Sequence, residues 1–134
     1  MSLEDNKTIV RRFVEEALTQ GNFDVYDTSF APNFVAHYYN TPSHDHASFR
    51  KFTEQFHQAI SGHTFTIHDL IAEGDTVAAR FSYAASMHHA QFGNTPPSGQ
   101  PLQMEFTLFA HFEQGKITEA WGYYEGANWD LSPT

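Results

Sequence analysis

The 134-residue chain has no cysteine. Disulfides, thiolate nucleophiles and cysteine-held metals are therefore excluded, and the redox compartment is left open. It also has no long apolar run, so nothing reads as a membrane span. No signal-peptide pattern is visible, and a cytoplasmic location is expected. Basic residues are scarce: 7 Lys and Arg stand against 16 Asp and Glu, a net charge of −9. A surface of that sign repels phosphate, which argues against nucleic acid and against anionic membranes as partners. Repeats, linkers and low-complexity segments are missing too, so the length reads as one domain over residues 1–134 with one core.

Rings are what the chain has in excess. Aromatics make up 16% of it, and 13 residues are Phe. That is more ring surface than a small core usually needs, so the rings either thicken the core or line a cavity. Val10, Phe13, Val14 and Ala17 recur at helical spacing and predict a helix from Glu4 to Gln20, with Gly21 as its stop. Asn22 can cap a short helix from Phe23 to Phe30, which Pro32 ends. Phe34 to Tyr39 reads as a strand and "NTPSHDH" as a loop. Ser43 or Asp45 can cap a third helix running to about Ile60, whose stripe includes Phe49, Phe52 and Phe56. Three phenylalanines on one helix face need a thick core or a pocket wall.

After His63 the pattern is strand. Phe65, Ile67, Asp69 and Ile71 share one parity, and Glu73-Gly74-Asp75 is a hairpin turn. Val77 to His89 is a long strand, "QFGNTPPSGQP" a loop, and Leu102 to Phe112 a strand with Met104, Phe106 and Leu108 on one side. Glu113 to Lys116 turns into the last strand. Its alternation puts Ala120, Gly122 and Tyr124 on one face and Ile117, Glu119, Trp121 and Tyr123 on the other. Three helices and a meander of strands predict an α+β domain, with helices on one face of a curved antiparallel sheet.

Within this frame, "SMHHAQFGNTPPSGQP" and "GKITEAW" resemble the SnoaL-like polyketide cyclase family of the nuclear transport factor 2-like superfamily. Met87-His88, Phe92, Pro96-Pro97-Ser98-Gly99, Gly115-Lys116-Ile117, Glu119 and Trp121 fall at the family's spacing, and "FAPNFVAHY" resembles its early strand ending in His, here His37. The resemblance implies a cone-shaped barrel: a curved sheet wrapped on three N-terminal helices, with an internal pocket for a small, mostly apolar molecule. It also implies a homodimer through the outer sheet face. Phe109, Trp121 and Tyr123 on that face agree with this, because exposed aromatics mark interfaces.

The resemblance further implies acid–base chemistry without a cofactor. A base takes a proton beside a carbonyl, and a donor holds the enolate oxygen. The family's last strand reads Glu-His-Trp-Asp, but here it reads Glu119-Ala120-Trp121-Gly122, so the inward His and Asp are gone. His37 and His88 are the candidate catalytic groups in their place; a surface or capping role is the alternative for His37, and strict alternation puts His88 on the face of Arg80 unless a bulge intervenes. Tyr38 and Tyr124 are candidate donors to a substrate oxygen, or else packing residues. Phe52, Phe56 and Phe106 are candidate wall residues for the substrate. Asp69 is a candidate base if its face is inward, although its place near a turn favours solvent. His44-x-His46 and His88-His89 invite a metal reading, but zinc needs three or four converging ligands. His44 and His46 fall in a loop, where side chains are usually solvated, and no metal site is expected. The other function class open to the sequence is a non-catalytic binding or dimeric interaction module, since Ala120 and Gly122 empty the pocket side of the strand.

Overall fold

Ser2 and Asp5 close a capping box at the start of the first helix. The Ser2 hydroxyl accepts the Asp5 N–H at 3.0 Å, and the Asp5 carboxylate accepts the Ser2 N–H at 3.2 Å. The structure, a computed structural model, describes residues 2–38, 43–85, 87–88 and 102–125, and at 38, 85, 87, 88 and 102 the backbone alone. The loop expected at "QFGNTPPSGQP" lies outside the described residues.

Helix α1 spans Leu3–Arg12 and runs on into a π-helical stretch, Phe13–Thr19. The sequence reads as one α-helix here, because its stripe of Val10, Phe13, Val14 and Ala17 is buried as expected. The π-helical stretch changes what else faces inward. Positions five apart diverge on an α-helix of 3.6 residues per turn, whereas i→i+5 bonding brings them to one side. Phe13 and Leu18 thereby look into the same hollow. Gly21 ends the stretch with φ +78°, a conformation that favours glycine.

The short helix α2 covers Asp24–Ser29, and strand β1 begins at once, Phe30–Tyr38. Pro32 was expected to end the helix. It sits instead inside β1, where the pairing with the last strand slips between Phe30 and Val35, a place that does not require its missing N–H. Strand β2, His44–Asp45, pairs antiparallel with β1. Asp45 then caps α3, His46–Ala59, by accepting the Ser48 N–H at 2.8 Å. The other strands are β3 (Ile60–Ser61), β4 (Thr64–Glu73), β5 (Thr76–Ala85), β6 (Met87–His88), β7 (Leu102–Glu113) and β8 (Lys116–Glu125).

Six strands form one sheet in the order β2-β1-β8-β7-β5-β4, and β3 pairs with β6 apart from it. The sheet was expected to be antiparallel and is mixed, because β1 lies parallel to β8. Such a pairing needs a long crossover, supplied here by everything between β1 and β8. The strand expected to reach His89 stops pairing with β7 at Ala85, and Met87 and His88 pair with Ser61 and Ile60 instead.

Two bulges reset which residues face the helices. In β4 the register with β5 skips His68, so Leu70 and Ala72 turn inward and Ile71 is 62% exposed. In β8 the register with β7 skips Thr118, so Ile117 is buried while Glu119, Trp121 and Tyr123 face out. Strict alternation had put Ile71 with the inward residues and Ile117 with the outward ones. One extra residue flips everything beyond it.

The core lies between the helices and the inner sheet face. Phe13, Tyr26, Phe30, Phe34 and Phe49 form a contiguous ring cluster, with Tyr26 stacked on Phe30 at 4.5 Å and Phe13 edge-on to Phe30 at 4.9 Å. Each such pair contributes about 1 kcal/mol beyond its buried area. The Tyr26 hydroxyl donates to the His46 carbonyl at 2.7 Å, tying α2 to the start of α3. Among the described residues no helix is long and apolar enough to cross a membrane.

Candidate functional site

A hollow remains between the π-helical stretch, α3 and the inner face of β4, β5, β7 and β8. Its wall comprises Phe13, Leu18, Phe49, Phe52, Thr53, Phe56, Phe65, Phe81, Phe106, Thr107, Leu108 and Gly122. About 630 Å³ lies between the atoms, open mouth included, of which about 60 Å³ has room for the centre of a water molecule. Among the described residues none of the wall is ionisable. The Thr53 hydroxyl donates to the Arg50 carbonyl of its own helix at 2.9 Å. Such a space, lined by rings and poor in polar groups, suits an apolar guest.

The sheet register explains the opening. Gly122 stands opposite Leu108 on one side and residue 38 on the other. The neighbouring inner row reads His44, Ala36, Ala120, Ala110 and Val77 across five strands. Gly122 borders the cavity and leaves volume that a larger side chain would fill, while the alanines of the neighbouring row pack in the core. The excess of rings expected from composition therefore serves both ends: core on the β1 side, cavity wall on the β5–β7 side.

Phe52, Phe56 and Phe106 line the cavity. Tyr124 is partly buried, packs 6.3 Å from Phe106, and is not among the wall residues. The backbone of Tyr38 lies opposite Gly122 and that of His88 opposite Ile60; their side chains lie outside the described residues.

His37 was expected at the pocket, and the structure places it on the outer face. Its ring stacks on Trp121 at 5.6 Å, its Nε2 lies 2.7 Å from the Glu119 carboxylate, and its Nδ1 lies 3.2 Å from Ser43 Oγ. The parallel register is the cause: Ala36 and Ala120 share the buried face, so their neighbours His37, Glu119 and Trp121 must share the other. Asp69 also lies outside, beyond the His68 bulge, and pairs with Arg80 at 2.7 Å. Glu105, on the outer face, accepts from Ser82 Oγ at 2.7 Å, and Ser82 Oγ lies 2.5 Å from His68 Nε2.

Two polar groups near the cavity were not expected there from the sequence. The first is Tyr83, fully buried against the wall residues Phe65 at 4.5 Å and Phe56 at 5.3 Å. Its hydroxyl lies 2.7 Å from His63 Nδ1, and His63 Nε2 lies 3.0 Å from the His57 carbonyl. A carbonyl only accepts, so His63 carries its proton on Nε2, and the Tyr83 hydroxyl donates to Nδ1. Burial pushes the phenol far above its usual range, so it is a proton donor and not a base.

The second is His44, expected to be solvated in a loop. It is 2% exposed, because β2 pairs with β1 and turns it onto the inner face opposite Ala36. Its ring lies 4.9 Å from Phe52 and 6.3 Å from Phe49. Burial lowers its pKa, against a smaller upward pull from Asp45. Only Ser48, four residues on, hinted at this in the sequence, since such spacing lets a serine at the start of a helix meet the preceding side chain.

A family model described as SnoaL-like polyketide cyclase matches residues 8–129. No curated protein matches the chain. Among solved structures, a proposed hydroxylase from Streptomyces galilaeus is 22% identical, with a TM-score of 0.81 over 92% of this chain and 91% of that one. A proposed SnoaL-like polyketide cyclase from Jannaschia sp. CCS1 is 18% identical, with a TM-score of 0.82 over 91% of this chain and 86% of that one. An LEH-like epoxide hydrolase from M. tuberculosis is 17% identical, with a TM-score of 0.71 over 92% and 84%. At these identities the likeness is one of fold, the nuclear transport factor 2-like α+β arrangement. Three different descriptions on one fold agree with the rule that chemistry resides in the site.

Proposed function

The chain belongs to the SnoaL-like polyketide cyclase family, and on that premise we propose that it binds a small hydrophobic, carbonyl-bearing molecule, aromatic or polycyclic, in the phenylalanine-walled cavity and carries out a cofactor-free acid–base step on it. The observation that supports this reading is the cavity itself: seven phenylalanines around a space that Gly122 keeps open. An apolar wall desolvates a carbonyl and its neighbouring C–H, which strengthens any hydrogen bond the protein offers there. Ring closure and isomerisation also need a base for the proton beside the carbonyl, and hydration needs a water. His88 enters as an acid–base candidate through the family resemblance. His37 is left out, since its ring is spent on Glu119 and Trp121 on the far face of the sheet.

The absence of ionisable side chains from the described wall favours a second reading, a binding module without turnover. The two separate on a panel of aromatic ketones. Calorimetry should show binding to the wild type and its loss in Gly122→Leu, with far-UV circular dichroism unchanged. No binding by any ketone would refute the cavity reading. Binding without product would leave the module, and turnover that survives His88→Ala would remove that residue from the chemistry.

We also propose a homodimer through the outer face, where Phe109 is 42% and Tyr123 47% exposed beside Trp121. Sedimentation of a 15.2 kDa species at micromolar concentration would refute it.

A further inference from the structure

His44 presents a contradiction that the cavity resolves. The residue is 2% exposed, yet its Nε2 has no hydrogen-bond partner among the described residues. A buried polar atom left unpaired is costly and calls for an explanation. The ring is not loose. Its Nδ1 lies 2.7 Å from Ser48 Oγ, at the start of a helix that Asp45 caps. The neighbouring positions in its row are Ala36 and Ala120, too short to offer Nε2 a partner. The rings nearest to it include Phe52 and Phe49; both belong to the described cavity wall, of which His44 itself is not a part.

We infer that His44 Nε2 is the polar group that meets the oxygen of a guest in the cavity, a carbonyl or an aromatic hydroxyl, with Ser48 as the residue that positions the ring. This rests on the reading of the cavity as a binding site. Burial keeps the imidazole neutral near physiological pH, and a neutral imidazole offers one donor and one acceptor nitrogen. The Ser48 hydroxyl can donate to Nδ1 or accept from it. In the first case Nε2 carries the proton and donates to a carbonyl oxygen. In the second it accepts from a hydroxyl. Either way the site has a polar end near Phe52 and an apolar body beyond it, so it selects a ring system with an oxygen at one edge. The group lies across Ala36 from Ala120, two strands over from where the family's histidine is missing.

Two probes of nearly equal shape test this, naphthalene and 2-naphthol, which differ by one hydroxyl. Dissociation constants for both are measured on the wild type and on His44→Phe. Loss of one hydrogen bond should shift the ratio of the two constants by about fivefold toward naphthalene in the variant. An unchanged ratio overturns the assignment of His44 while leaving the cavity reading intact. Failure of both probes to bind the wild type overturns the cavity reading, and the inference with it. A second measurement does not depend on the variant folding. In a long-range ¹H–¹⁵N spectrum of the wild type, His44 Nε2 should move on addition of 2-naphthol and not of naphthalene. A resonance that stays put under saturating 2-naphthol overturns the inference equally.

Discussion

Stability should fall on mild acidification through His44, and replacing that residue should remove this part of the fall. The folded protein holds His44 at 2% exposure, where desolvation disfavours the imidazolium and lowers the pKa from its ordinary value of 6.5. The Asp45 carboxylate pulls the other way, but more weakly. In the unfolded chain the ring regains an ordinary histidine pKa. Between the two values the unfolded state binds more protons than the folded one, so stability rises with pH. The contribution is complete above the unfolded pKa and is lost as pH falls from there through the folded pKa. Inside that window the slope stays below about 1.4 kcal/mol per pH unit, the limit for one proton. His44→Phe keeps a ring of similar size and cannot titrate. It also loses the Ser48 hydrogen bond, a loss of about 1 kcal/mol that should vary little with pH. Urea unfolding followed by circular dichroism, from about pH 5 to about pH 7.5, covers the range where histidines titrate. The other histidines are common to both proteins and cancel in the difference. The stability of the wild type minus that of the variant should decline as pH drops below 6.5. A difference that stays constant across the range would refute the burial of His44 and the pairing of β2 that causes it.

Three further perturbations have defined outcomes. Gly21→Ala places a Cβ at φ +78° and 2.9 Å from the His57 ring; it should cost about 1–2 kcal/mol in urea unfolding from the backbone alone, and a His57→Ala background should relieve only the contact with the ring. Asp45→Ala removes the acceptor of the Ser48 N–H and should cost about 1 kcal/mol, with faster amide exchange confined to the first turn of α3. Tyr83→Phe removes the hydroxyl that donates to His63 and should cost about 1 kcal/mol, measured as a lower urea midpoint with an unchanged slope; a stabilised variant would mean that this buried hydrogen bond does not form.

Much of the α+β frame is legible because its signals are local. The stripe of Val10, Phe13, Val14 and Ala17 needs only helical periodicity to be seen, and all four residues are buried. Asp45 as a cap and Gly21 as a stop follow from backbone groups within a few residues of each. Phe52, Phe56 and Phe106 were recognisable as wall candidates because the chain has more rings than its core needs. The two bulges were not legible. His68 and Thr118 carry no mark of being the extra residue in a ladder, yet they decide that Ile71 and Asp69 face out and Ile117 faces in. The π-helical stretch from Phe13 to Thr19 left no sign either, and it is what turns Phe13 and Leu18 to the same space.

The sequence by itself determined the class of the fold, the cap at Asp45 and the stop at Gly21, the family, and the emptiness of positions 120 and 122, but not the start of α2, where Asn22 gives no cap. Each of these depends on residue identity and near neighbours. Only the tertiary structure decided which histidine is buried. His37 and His44 are seven residues apart, and nothing local separates them. The difference arises because β1 lies parallel to β8 and antiparallel to β2. That arrangement joins segments more than eighty residues apart in the chain, and it turns His37 toward Glu119 outside and His44 toward the phenylalanines within. A side chain's face in a sheet is set by register, and register is a property of two strands together.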